Sequence, residues 1–215
     1  MPRCHARSAP RRSLARQLRL PLLALALLPI GAHALSGTPA TPEPALDVLR
    51  KLSDAERLEA AFEEGVALYE TGHPAAAVER WQALARRGHA GALFGLGAAH
   101  ATGNGVPRSL ERAIAYWEAA AARGHTAAQV NLGLLYWRGE GVARDLAQAR
   151  RWWLEAAIHG DPTAQFHLGA MAATGEGTPR DYRAAVRWWR RAAAQGYRPA
   201  IEGLELLKRS GVRVD

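Results

Sequence analysis

Carboxylates, imidazoles and glycine pairs are the groups in this chain whose types and spacing could do chemistry. Asp145 and Asp181 lie one apparent repeat apart, and paired carboxylates are the minimum equipment for general acid and base work. Six histidines, His73, His89, His100, His125, His159 and His167, are scattered through the same region. A metal needs convergent ligands, commonly two histidines four residues apart on one helix, and no such pair occurs. The pairs Gly103/Gly105, Gly139/Gly141 and Gly175/Gly177 look like the start of a phosphate cradle, but none continues to a third glycine and no G-K-[ST] follows. No serine stands in a G-x-S-x-G context. The single cysteine, Cys4, lies in the N-terminal leader, so no thiol nucleophile, disulfide or cysteine metal cage is expected after it. The roles that fit these residues are local. An aspartate ahead of an apolar helical stretch accepts from free backbone N–H groups, and Gly-x-Gly supplies positive φ at a turn. No catalytic residue, metal or cofactor is expected.

The elements that carry these residues recur. Residues 90–125, 126–161 and 162–197 align with one another without a gap. Leu96-Gly97 returns as Leu132-Gly133 and Leu168-Gly169. Ala113, Trp117 and Ala120 return as Ala149, Trp153 and Ala156, then as Ala185, Trp189 and Ala192, and Gly124, Gly160 and Gly196 close the units. A fixed period of this size marks a stacked array. Within a unit, apolar residues fall at helical spacing twice, on either side of the G-x-G segment, so each unit reads as helix, turn, helix. Ala128, Leu132 and Tyr136 form one stripe of a first helix. Gly133 lets a second helix carrying Trp153 approach closely, and Ser109, Asp145 and Asp181 stand where an N-cap oxygen is needed. Trp81, Trp117, Trp153 and Trp189 are expected in the core. Trp152 and Trp188, one residue earlier, are expected against the next repeat.

Residues 54–89 form a shorter related pair joined by Thr71-Gly72-His73-Pro74, and 198–215 read as a cap whose Glu202, Glu205, Lys208 and Arg209 face solvent. The S-x-x-E of Ser53 and Glu56 reads as a capping box at the start of the array. The pattern A-x3-LG-x2-Y-x2-G-x-G-V-x2-D-x3-A-x3-W-x2-AA-x2-G, best matched from Ala128 to Gly160, resembles the Sel1-like repeat, a relative of the tetratricopeptide repeat. His100 and Ala172 replace its tyrosine, Thr178 its valine and Ser109 its aspartate. The expected fold is all-α, an α-solenoid of antiparallel helix pairs with a C-terminal capping helix.

Of the net charge of +8, six units belong to Arg3, Arg7, Arg11, Arg12, Arg16 and Arg19, leaving +2 for the remainder. A nucleic-acid partner is therefore not expected. The leader runs from these arginines through an apolar stretch, Leu20 to Ile30, to Ala32-His33-Ala34, a small-x-small cleavage pattern. Residues 1–34 read as a signal peptide cut after Ala34, with export to a bacterial periplasm or beyond. The stretch is too short to span a bilayer of about 30 Å, so no transmembrane anchor is expected in the mature chain. Arg11-Arg12 leaves twin-arginine export open beside the general route. Residues 35–45, rich in Pro and Thr, read as a linker ahead of a helical repeat domain from 46 to 215.

Function is sought on the other face of the first helices. A rotation of 100° per residue places Val130, Leu134 and Trp137 opposite the Ala128, Leu132 and Tyr136 stripe, with Phe94 and Phe166 repeating the position of Val130. The resemblance implies that this side lines the concave groove. Phe94, Val130, Leu134, Trp137 and Phe166, edged by Arg138, would there hold an apolar peptide or helix, or else pack successive first helices together. The expected function is a non-enzymatic, exported adaptor or scaffold that binds another protein of the cell envelope. The alternative is a protein that binds or hydrolyses cell-wall material, peptidoglycan or β-lactam.

Overall fold

The computed structural model describes the backbone of residues 43–213 and the side chains of residues 53–213. The expected signal peptide and residues 35–42 of the expected linker lie outside the described residues. Within them the chain folds as nine α-helices without a strand: α1 Glu43–Glu70, α2 Pro74–Arg86, α3 Ala90–Thr102, α4 Leu110–Ala121, α5 Thr126–Arg138, α6 Leu146–Ile158, α7 Pro162–Thr174, α8 Tyr182–Ala194 and α9 Arg198–Arg209. No helix among the described residues is long and apolar enough to cross a membrane.

α1 departs from the capping-box reading. It starts at Glu43 and continues through Ser53, which therefore lies inside the helix rather than at its entry. Pro44 is tolerated because it falls in the first turn, where its missing N–H breaks no helical hydrogen bond. The leucines, arginine and lysine that follow are good helix formers, and nothing in the segment stops the helix before Glu70.

The later pairs repeat one local design. Ser109, Asp145 and Asp181 cap the second helices. The Asp145 carboxylate accepts from the N–H groups of Ala147 and Gln148, both at 2.9 Å, and that of Asp181 from Ala184 at 3.0 Å. The first helices end on Gly103, Gly139 and Gly175, all left-handed, where a Cβ would be strained. Each pair is joined by a tryptophan. Trp153, 1% exposed, lies against Gly133 so closely that an added Cβ would stand 2.8 Å from its ring carbon Cε2. Its Nε1–H donates to the carbonyl of Val130 at 3.3 Å. Trp117 does the same to Phe94 and Trp189 to Phe166, so the indole stitches second helix to first by packing and by a hydrogen bond. In the shorter first pair Trp81 packs on Gly65, but its buried Nε1 has no acceptor among the described residues.

Trp152 and Trp188 turn toward the preceding repeat and not the next. Trp152 of α6 joins the apolar cluster built from α3, α4 and α5, and Trp188 of α8 joins that of α5, α6 and α7. The step of one residue, about 100°, carries the ring to the cluster that its own first helix shares with the previous pair. At the far end α9 covers Trp189 through Gly203 and buries Ala200 and Leu207. Its outer side carries Glu202, Glu205, Lys208 and Arg209 as expected, and with them the exposed Ile201 and Leu206.

Candidate functional site

Several of the groups that could have done chemistry hold backbone instead. Besides the aspartates, His89 and His125 are N-caps. Their Nδ1 atoms accept from Ala92 at 3.1 Å and Ala128 at 3.3 Å, and Asp161 fills the same place for α7, accepting from Ala164 at 2.8 Å. An imidazole can cap in this way only while Nδ1 is unprotonated, and burial lowers the pKa of His125. Among the described residues no three His, Cys, Asp or Glu side chains come together as a metal cluster.

Three of the six residues expected on the binding face are spent on joining repeats. Phe94 stacks on His125, the N-cap of the next first helix, at 4.5 Å between ring centroids. Phe62 meets His89 in the same way at 4.9 Å, and Phe166 meets Tyr197 at 5.7 Å while also stacking on Trp189. Val130, 8% exposed, is in the core with Trp153 and Ala164 and is not available to a partner. The reason is geometric. In a stack each first helix is flanked by its own second helix and by the next pair, so the face opposite the Leu132 stripe is itself half covered.

The other three remain together on α5. Leu134 and Trp137 are half-buried and Arg138 is exposed. The Trp137 Nε1–H donates to the Glu176 carboxylate at 3.1 Å, its backbone carbonyl accepts from Arg144 Nε at 2.9 Å, and Arg144 pairs with Glu176. The indole is thereby fixed by the loop of the following repeat. Arg138 lies 3.6 Å from Glu140, and its charge also reaches His167. That imidazole is stacked at 4.4 Å on Trp153, and its pKa is lowered to about 4, first by burial and then by Arg138, with Asp161 opposing.

Position-by-position comparison sets α5 apart. Where α5 has Leu134, Trp137 and Arg138, α3 has Ala98, Ala101 and Thr102, and α7 has Ala170, Ala173 and Thr174. Both threonine hydroxyls donate to carbonyls one turn back, Ala98 at 2.8 Å and Ala170 at 3.0 Å, so they are already satisfied. A ridge of one leucine, one tryptophan and one arginine is thus flanked by helices that carry only small side chains at the same places. His167 and Glu176, which touch or bias this ridge, were missed by sequence reasoning. Glu176 lies between the two glycines of a turn, a place that gave no sign of a contact with the repeat before it.

The Sel1 repeat profile matches residues 90–125, 126–161 and 162–197, which together make up half of the chain. The chain belongs to the Sel1 repeat family. A Sel1 repeat protein from Oxalobacter formigenes has a similar structure, with a TM-score of 0.66 and 29% identity over 71% of this chain and 63% of that one. A protective antigen present in uropathogenic Escherichia coli strains, displaying an SLR fold, is similar with a TM-score of 0.68 and 30% identity over 78% of this chain and 37% of the antigen. The chain thus spans less than two thirds of either relative. No curated protein matches it. Sel1 repeats are typically non-catalytic scaffolds that mediate contacts between proteins.

Proposed function

We propose that this Sel1 repeat protein is an exported adaptor that binds a protein of the cell envelope through the ridge of Leu134, Trp137 and Arg138. The observation that carries the reading is the contrast between α5 and its neighbours. A repeat array can be built with small residues at these places, as α3 and α7 demonstrate by carrying alanine and threonine, so the larger side chains of α5, although Leu134 and Trp137 also pack on the Trp153 cluster, exceed what stacking requires. Tryptophan and arginine are also the side chains that most often dominate binding energy at interfaces. Trp137 is pre-fixed by Glu176 and loses little freedom on contact, and Arg138 offers a planar donor fork at the edge. Phe94, Val130 and Phe166 contribute by holding α3, α5 and α7 in register.

Export rests on the leader pattern of residues 1–34 and an envelope partner rests on export. The experiment is cross-linking from a photoreactive residue placed at Ala170, on the small-residue floor beside the ridge, in cells that express the full chain. A specific envelope protein, captured by the native ridge and lost when Leu134, Trp137 and Arg138 are replaced by the α3 residues, is the expected result. Capture of peptidoglycan fragments instead would favour the cell-wall alternative, and capture of the same protein by both versions would remove the ridge from the account.

A further inference from the structure

The arginines of α8 carry an inference independent of the ridge. Arg183, Arg187 and Arg190 recur at intervals of four and three, which puts them on one side of the helix over about 10 Å, and all three are exposed. Together with Arg180 and Arg213 they edge a cleft whose floor includes Val186 and Val212. The helix has no acidic residue, and its N-cap, Asp181, is occupied by the Ala184 N–H. Among the described residues no carboxylate pairs with Arg183 or Arg187. A row of guanidinium groups calls for an acidic segment rather than a point anion.

The first helix offers that segment. Glu56, Glu59 and Glu63 of α1 are exposed and recur at intervals of three and four, the same spacings as the arginines in reverse order. Laid antiparallel, the two helices bring Glu59 to Arg187 and Glu63 to Arg183 in a single register. Glu56 and Glu63 have no ion-pair partner among the described residues, and Glu59 makes only a contact with His89 Nε2 at 3.1 Å. We propose that copies of this chain associate head to tail, with α1 of one copy in the arginine cleft along α8 of the next. The contact uses different surfaces on the two partners, so it leaves one free end of each kind and builds a string or a ring.

The test is sedimentation of the purified full chain over a range of concentrations at about 0.02 M and about 0.5 M salt, since exposed charges are screened within a few ångströms at the higher value. The expected result is a mass that rises with concentration at low salt and returns to the monomer at high salt. Two charge-reversed forms, Arg183→Glu with Arg187→Glu and Glu59→Arg with Glu63→Arg, are each expected to associate at least about tenfold more weakly, and their mixture is expected to form a complex that neither forms alone. The single pair Arg183→Glu and Glu63→Arg repeats the exchange without touching the Glu59 contact to His89, and circular dichroism checks that every form is folded. A monomer at all concentrations and low salt overturns the proposal, even if that monomer binds polyglutamate, because the arginine cleft then serves another acidic partner. Association that survives both reversals, or a mixture that does not restore it, overturns the pairing as well.

Discussion

The ring of Phe94 lies 4.5 Å from the imidazole of His125, and that same imidazole accepts the Ala128 N–H that opens α5. One histidine therefore caps a helix and receives the aromatic side chain of the previous repeat. One repeat later both members change together, to Val130 and Asp161, where the cap remains and the ring contact is gone. Replacing Phe94 and His125 by Val and Asp should reproduce that second solution. Each single change is expected to cost about 1–2 kcal/mol through lost ring packing, and the double change about 1 kcal/mol less than their sum. Urea unfolding of the four forms checks this, and strict additivity would show that the two rings are energetically independent.

Two glycines separate steric from conformational need. At Gly133 an added Cβ would overlap the Trp153 indole, whereas at Gly160 nothing lies within 4 Å and only the φ of 90° opposes a side chain. Gly133→Ala is expected to destabilise the fold by about 3 kcal/mol or more, and Gly160→Ala by about 1 kcal/mol. Thermal unfolding of both variants should show the larger loss at Gly133. Equal losses would mean that the indole moves aside without cost.

The repeat period, the helix pairs, the aspartate caps and the Gly133–Trp153 contact were all legible because each is fixed by a local rule that recurs. A glycine cannot be replaced where an indole fills its space, and an N-cap needs an oxygen. The histidine caps were not legible, since histidine is not among the usual capping residues. The burial of Val130 on the expected binding face was not legible either. Helical rotation separates Val130 from Leu132, but it contains no information about Ala164 and Trp153, which bury Val130. The extension of α1 to Glu43 was hidden because Ser53 and Glu56 satisfy the pattern of a helix start without being one.

Acid should loosen the array between about pH 6.5 and pH 4. The folded-state pKa of His167 is lowered to about 4 from 6.5, chiefly by burial, so the unfolded chain binds the extra proton first. Its contribution is intact above the unfolded value and is lost as pH falls toward the folded one. His125 shifts in the same direction, and its protonation would also remove the cap. A falling melting temperature over this interval is expected, with a shallower fall in His167→Asn, which copies Asn131 of the preceding repeat. The same slope in both proteins would show that His167 does not contribute.

Glu176 should hold the Trp137 indole. Its removal in Glu176→Ala leaves the Nε1–H without the acceptor at 3.1 Å and is expected to cost about 1 kcal/mol. The indole N–H resonance of Trp137 should move in the NMR spectrum while those of Trp153 and Trp189, bonded to backbone carbonyls, stay in place. A stationary Trp137 signal would mean that the ring is held by packing alone.

The proposed adaptor role requires that the ridge of α5 serve a partner beyond its part in the stack. The direct measurement is the affinity of the cross-linked partner, once purified, for the native chain and for a form with Leu134→Ala, Trp137→Ala and Arg138→Thr, which makes α5 resemble α3 and α7 at those places. An unfolding transition that is retained and an affinity lowered by at least about 100-fold are expected, since tryptophan and arginine anchors are removed together. A folded variant that binds the partner as tightly as the native chain would contradict that role.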